Sequence, residues 1–218
     1  MLFSLDLSIE CVKRALELGV DTIVTHHPAI YNPIKCLNED GETAAVLLAA
    51  KSNLNVVSMH LNLDMAKEGI DYYLAQGLGA KDDKILYFTT DVEGYGREFA
   101  LSEESLLECV LERAIEVFGS KKILVYGEGK VKNVASFCGG GSDYALKSVL
   151  SGETAADLII SSDMPHHVLK ELIERDKKVM ILPHYVSEQY GFEKFYAFVK
   201  KAVNDQVSAY YFLDKRFM

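Results

Sequence analysis

The sequence contains no tryptophan, only four cysteines and four prolines, and no long apolar run. No stretch approaches the ~20 apolar residues that cross a membrane as a helix, so we expect no membrane attachment. The first residues are apolar, but Asp6 and Glu10 follow at once, and the basic segment and long apolar run of a signal peptide are absent. We therefore expect a cytoplasmic protein.

Cysteine is scattered as well as scarce, at positions 11, 36, 109 and 138. No C-x-x-C pair occurs, so neither a zinc-finger nor a thioredoxin motif has support. The low cysteine content also argues against a disulfide scaffold and fits the reducing conditions of the cytoplasm.

Positive charge is in deficit too: 23 lysines and arginines stand against 32 acidic residues, for a net charge of −9. Non-specific nucleic-acid binding needs basic residues that face phosphates, so a nucleic-acid partner is not expected. Nucleotides are not excluded, because backbone N–H groups or a metal ion can hold their phosphates.

What is present is an alternation of strand and helix patterns over 218 residues, of which 49% are hydrophobic. A strand, a helix capped by Ser8 and a second strand are predicted over residues 2–25. Such a unit predicts a parallel sheet with its ligand site beyond the carboxyl ends of the strands. Later in the chain we predict a loop over 91–97 and a helix over 103–118, capped by Ser102.

Two adjacent histidines, His26 and His27, stand where the second strand ends, and Pro28 blocks its smooth continuation. Beyond the strand both rings can turn toward one point. Neutral imidazole is a common metal ligand, so the pair is a plausible start of a metal site. The alternative is a pair of surface or capped histidines with a structural role.

The two halves of the chain repeat one plan, and all six histidines belong to it. An Asp-led strand ends near a His-His pair, and the next strand ends in a His-x-x-x-acid segment. The first copy has His26-His27 and His60…Asp64, and the second has His166-His167 and His184…Glu188. Because parallel strands end at one sheet edge, we expect these segments to meet. Histidines and carboxylates without cysteine suit Zn, Mn, Fe or Co.

The segment Cys138-Gly139-Gly140-Gly141 lies between a predicted strand and a predicted helix. Its backbone N–H groups could face an anion at the helix N-terminus. Equally, the glycines could let the chain turn beside another backbone. Cys138 is a weak candidate nucleophile, since no activating pattern surrounds it.

Four ordered motifs carry a resemblance to a known family: Thr25-His26-His27-Pro28, His60-x-Asn62-Leu63-Asp64, Ser162-Asp163-Met164-x-His166-His167 and His184-Tyr185-x-x-Glu188. They resemble the motif set of the NIF-three-like family, whose members are often called GTP cyclohydrolase 1 type 2 homologues. The resemblance implies two related α/β lobes with mostly parallel sheets and flanking helices, here 1–90 and 91–218. It also implies a dinuclear metal site in the cleft between the lobes.

By the same resemblance, two divalent ions (Zn, Fe or Mn) are held by His26, His27, Asp64, His184 and Glu188, with Glu188 as a bridge. Other family positions that line the cleft are expected to transfer protons or support the ligands, and here they are His60, Asp163, His166 and His167. A homo-oligomer, hexameric in the family, is implied. The sequence departs from the family in lacking tryptophan and the usual N-terminal helix, and in having Leu61 where threonine is usual.

Three functions fit these residues. The first is a metal-dependent hydrolase of a nucleotide or related heterocycle, in which a two-metal centre activates water. The second is a metal-binding or scaffold protein without turnover, in metal handling or as the partner of a regulator. The third is an α/β domain whose histidines are structural.

Overall fold

The computed structural model describes residues 1–204 and 206–218. The strands are β1 Leu2–Ser4, β2 Thr22–Thr25, β3 Asn55–Ser58, β4 Lys84–Phe88, β5 Gly94–Leu106, β6 Leu124–Tyr126, β7 Lys130–Ser136, β8 Leu158–Ser161, β9 Lys178–Ile181 and β10 Tyr210–Phe212. The helices are α1 Ile9–Glu17, α2 Ala44–Lys51, α3 Leu61–Asp64, α4 Ile70–Leu78, α5 Leu107–Phe118, α6 Ser142–Ser151, α7 His166–Ile173 and α8 His184–Val203. The predicted α/β class is thereby confirmed.

The chain divides into two compact units, and the first comprises Met1–Leu63 and Phe192–Lys215. Its sheet has the order β10-β1-β2-β3, and every neighbouring pair is parallel. The predicted cap of α1 is confirmed, because the Ser8 hydroxyl accepts a hydrogen bond of 3.1 Å from the backbone of Cys11. That helix buries one face against the sheet, in a core built from Leu2, Cys11, Val12, Ala15, Ile23 and Ala49.

The second unit comprises Asp64–Gly191 and Arg216–Met218. Its sheet has the order β4-β5-β7-β8-β9-β6. Strands β7, β8 and β9 pair in parallel, whereas β4, β5 and β6 join antiparallel. Every residue of β8 is buried, as expected of a central strand paired in parallel on both sides.

The units are divided differently from the lobes 1–90 and 91–218 expected from the sequence. Strand β10 pairs with β1, which returns residues 192–215 to the first unit. Residues 64–90 belong to the second unit, because β4 pairs with β5 and α4 packs beside them. These pairings are long-range, and no local pattern in the sequence reports them.

The helix predicted over 103–118 was placed too early, and the loop predicted over 91–97 is mostly strand. Strand β5 runs through Ser102, and α5 begins only at Leu107. Phe99 and Leu101 are buried while the residues between and after them are more exposed, which is the two-residue period of a strand. The acidic run after Ser102 hid that period and imitated the first turn of a helix.

No helix of the described residues is long and apolar enough to cross a membrane.

The Asp that leads β8 has a structural role. The carboxylate of Asp157 accepts hydrogen bonds from the backbone N–H groups of Lys132 (3.0 Å) and Asn133 (2.8 Å) on the neighbouring strand. Burial alone raises the pKa of Asp157, but these amides and nearby lysines outweigh it and hold that pKa below its usual value. The carboxylate therefore stabilises the start of the parallel pair.

We expect Asp157→Ala to lower the free energy of unfolding by about 1 kcal/mol at pH 7, since solvent screens the lost charge. Because the folded pKa is lowered, this contribution is complete above the unfolded pKa of about 3.9 and disappears as the pH falls through the folded pKa. Urea titrations at several pH values measure it. Asp21→Ala is the matched control, because the exposed carboxylate of Asp21 accepts from the hydroxyl of the adjacent Thr22 and caps no neighbouring strand in the described part of the chain. Equal losses in both variants, or a loss independent of pH, would contradict this role.

Candidate metal centre

Three imidazoles of the first unit gather at the carboxyl edge of its sheet. Strands β2 and β3 pair in parallel, so His26 and His27 after one strand come beside His60 after the other. The ring centroids are 5.0 Å apart for His26–His27, 5.1 Å for His26–His60 and 5.7 Å for His27–His60. One nitrogen from each ring lies within 4.8 Å of the others, so these residues could hold a metal ion.

Hydrogen bonds set the tautomers of this pair. Nδ1 of His26 donates to the backbone carbonyl of Met59 at 2.7 Å, and Nδ1 of His27 donates to the carboxylate of Asp6 at 2.6 Å. A carbonyl can only accept, so the proton lies on Nδ1 and the lone pair on Nε2. Histidines that bind metals are commonly oriented in this way by an oxygen on the other nitrogen.

Backbone contacts hold the His-His turn in place. The N–H groups of His26 and His27 both donate to the carbonyl of Leu5, at 3.1 and 3.0 Å. The Thr25 hydroxyl donates to the carbonyl of His27 at 2.8 Å and shares a second hydrogen bond with Ser58. Residues from three adjacent strands thus fix the turn, which explains why threonine precedes the pair here.

A second group forms in the second unit around the start of α8. His184 is the first residue of this helix and Glu188 lies one turn later, with 3.1 Å between His184 Nε2 and Glu188 Oε1. His184 Nδ1 donates to the Asp163 carboxylate. Asp163 has a positive φ of 45°, a conformation that Asp tolerates better than most residues. This backbone turn places the carboxylate beside the ring.

Two buried carboxylates lie close together in this group. An oxygen of Asp64 and one of Glu188 lie within 4.8 Å of each other, and the residues are only 4% and 2% exposed. The thiol of Cys138 is hydrogen-bonded to Asp64 at 3.5 Å. Buried like charges are costly unless they are paired with cations, so this arrangement favours a positive ion.

The glycines after β7 serve close packing. A Cβ on Gly139 would collide with the Glu188 carboxylate and lie 3.3 Å from His184 Nε2. The N–H of Gly139 donates to the Ser187 hydroxyl at 3.0 Å, so that group is already used within the protein. Of the two interpretations of the glycine run, the structure favours close approach over anion binding at this position.

The electrostatics of the second group follow from its carboxylates. Burial by itself would lower the pKa of His184, but Glu188 and Asp163 outweigh it and raise that pKa to about 9. Burial raises the pKa of the Cys138 thiol well above its usual value, and the charges of Asp64 and Asp71 add to the effect. A protonated, buried thiol is a poor nucleophile, which argues against the catalytic role considered for Cys138.

A buried ion network supports this region, and sequence reasoning missed it. The side chain of Arg97 contacts the carboxylates of Asp71 (3.6 Å) and Asp83 (3.0 Å). Asp71 in turn accepts from the backbone N–H of Cys138 at 3.0 Å, and the Tyr95 hydroxyl donates to the Cys138 carbonyl. The network therefore fixes the backbone just before Gly139. The only signal for it in the sequence was the run Gly94-Tyr95-Gly96-Arg97.

The remaining predicted site residues lie apart from these groups. His166 and His167 are exposed on the first turn of α7, and His166 lines a cavity together with Asp163. Among the described residues, His167 belongs to none of the possible metal-binding groups.

Asp6, which orients His27, was not predicted. The sequence feature that could have indicated this role is a carboxylate just beyond the buried strand β1.

A family model described as Duf34/NIF3 (NGG1p interacting factor 3) matches residues 1–215. The chain belongs to this family. That result confirms the resemblance carried by the four motifs. A GTP cyclohydrolase 1 type 2 homolog from Clostridium perfringens is 28% identical over 193 residues, which cover 86% of this chain and 72% of that protein.

Solved structures show the same fold. A hypothetical protein from Staphylococcus aureus superposes with a TM-score of 0.87 and 21% identity, covering 98% of this chain and 83% of that one. A Bacillus cereus protein related to NIF3 gives a TM-score of 0.84 and 19% identity, covering 98% and 87%. At these identities the likeness establishes the fold alone.

The Asp6–His27 hydrogen bond provides a test of the first group. We expect Asp6→Ala to weaken divalent-metal affinity about 10- to 100-fold, because the ring of His27 loses its orienting oxygen. Asp6→Asn keeps an acceptor and should weaken it less. Competition against a fluorescent chelator measures the affinity, with Asp21→Ala as the control. An unchanged affinity in folded Asp6→Ala would refute the orienting role.

Proposed function

We propose that the chain binds two divalent metal ions and hydrolyses a nucleotide or a related heterocycle. The ligands in this proposal are His26 and His27 in the first unit, and Asp64, His184 and Glu188 in the second. The observation that carries it is the common orientation of the three histidines, in each of which an oxygen accepts from Nδ1. At His26 and His27 this leaves the lone pair on Nε2. At His184, whose Nε2 lies 3.1 Å from Glu188 Oε1 and whose pKa is raised to about 9, a metal ion would have to displace the second proton.

The donor set fits divalent ions. It consists of imidazole nitrogens and carboxylate oxygens, which suit Zn, Fe or Mn and do not distinguish among them. The buried pair Asp64 and Glu188 supplies the negative charge that such an ion would offset. By family resemblance Glu188 would be a carboxylate ligand shared by the two ions.

The side chains around the ligands divide into two kinds. The carboxylates of Asp6 and Asp163 position His27 and His184, so Asp163 is a positioning residue in this proposal. His60 lies among the imidazoles of the first unit, where it could add a ligand or move a proton. His166 is exposed and can exchange protons with solvent. The metal ions, when bound, supply Lewis acidity for hydrolysis.

The hydrolase proposal draws its substrate class from relatives. The relative from Clostridium perfringens is named a GTP cyclohydrolase 1 type 2 homolog. The alternative is a non-catalytic metal-binding or scaffold protein in metal handling or regulation. The family description, NGG1p interacting factor 3, refers to an interaction and not to a reaction, which favours that alternative. In either case we propose a cytoplasmic homo-oligomer, hexameric by resemblance to the family.

Turnover separates the two proposals. We expect metal-loaded protein to hydrolyse at least one compound in a panel of purine nucleotides, phosphoesters and cyclic amides. Because Glu188 and His26 are proposed ligands, Glu188→Gln and His26→Ala should reduce the rate at least a hundredfold. Glu174→Gln, an exposed change elsewhere in the second unit, is the control. Metal-loaded protein with no rate above these variants would leave the scaffold proposal in place of the hydrolase.

A further inference from the structure

A cavity of about 480 Å³ opens in the second unit beside the edge strand β6. This volume falls within the range of small-molecule binding sites, roughly 300–1,000 Å³. The cavity is lined by residues of β6, β9 and α7 and of the segments before β6, α7 and α8, namely Lys122, Leu124, Tyr126, Asp163, Met164, His166, Leu169, Ile181, Leu182 and Pro183.

One wall of the cavity is apolar and partly aromatic. Strands β6 and β9 pair antiparallel, with Leu124 opposite Ile181, and Tyr126 lies further along β6. Leu124 is 57% exposed, so its side chain is available to a ligand. An apolar wall with an aromatic side chain suits a planar ring.

The polar side of the cavity favours an anion, although the chain as a whole is acidic. Lys122 and His166 provide a cation and an imidazole, against a single carboxylate from Asp163. That carboxylate already accepts from His184 Nδ1, so its charge is partly offset. Lysine is a common means of holding a phosphate or carboxylate.

The cavity adjoins the second metal-binding group through its own wall. Asp163 both lines the cavity and orients His184, and Pro183 lies directly before His184 at the start of α8. A ligand in the cavity would therefore lie next to the residue that positions a proposed metal ligand. This is the location expected of a substrate-binding pocket.

We propose that this cavity, the Lys122 cavity, binds an anionic molecule with a planar heterocycle, of the nucleotide class. Lys122 and His166 bind the anionic group, while Leu124, Tyr126 and Ile181 contact the ring. The inference rests on the proposed function, for which it supplies the substrate-recognition site. The inference differs from the proposed function because ligand binding in the cavity requires neither a bound metal ion nor turnover.

The test is calorimetric binding of GMP and of guanosine to metal-free protein whose metal content is measured alongside. We expect GMP to bind more tightly than guanosine, because only GMP carries the phosphate. Lys122→Glu should weaken GMP binding about tenfold or more through charge reversal. Lys121→Glu is the matched control, since it changes the same charge at the neighbouring exposed position outside the cavity lining.

Equal GMP affinities for the Lys122→Glu and Lys121→Glu variants would overturn the proposal, as would guanosine binding as tightly as GMP or no GMP binding at millimolar concentration. Thermal melts establish that both variants are folded. The failure of the hydrolase proposal would look different. In that case GMP binds through Lys122, but the metal-loaded protein turns over no substrate.

Discussion

The hydrogen bond from an imidazole Nδ1 to a protein oxygen is the interaction on which the candidate centre depends. It occurs at His26 with a backbone carbonyl, and at His27 and His184 with carboxylates. Each bond holds its ring in one orientation, and at His26 and His27 it also assigns the proton to Nδ1 and the lone pair to Nε2. Without these bonds the rings would lose the oxygens that orient them.

The residues that supply these oxygens lie at the edges of the two sheets, just beyond the ends of strands. In the first unit, three adjacent parallel strands end together, so the residues after β1, β2 and β3 meet as Asp6, His26-His27 and His60. In the second unit, the segments that follow β7, β8 and β9 hold Gly139, Asp163 and His184. The same arrangement, with candidate ligands and their supporting groups at the carboxyl ends of parallel strands, is thus used twice in one chain.

Much of this arrangement could be predicted from local patterns. The His-His pair after an apolar strand, the His-x-x-x-Glu spacing and the Ser8 cap each depend on residues that are close in sequence. The structure shows His184 and Glu188 on one face of α8, as the spacing implies for a helix. His60 joins the histidines of the first unit because β2 and β3 are neighbours, which the strand–helix–strand pattern also indicated.

What could not be predicted depends on contacts between distant residues. Asp6 and His27 are 21 positions apart, and Asp71 and Cys138 are 67 positions apart. The strand over 94–106 was obscured because its acidic end resembles the first turn of a helix. The division into units depends on β10 pairing with β1, two strands at opposite ends of the chain. Propensity and periodicity report short-range preferences, so they do not contain this information.

The central claim is that these groups are metal ligands, and elemental analysis tests it most directly. The protein should be purified without chelator or affinity tag, beside Glu188→Ala and the surface variant Glu174→Gln. Our account predicts about two divalent ions per chain in the wild type and in Glu174→Gln, with a loss in Glu188→Ala. No metal in any of them, even after incubation with Zn, Mn and Fe(II), would contradict the account.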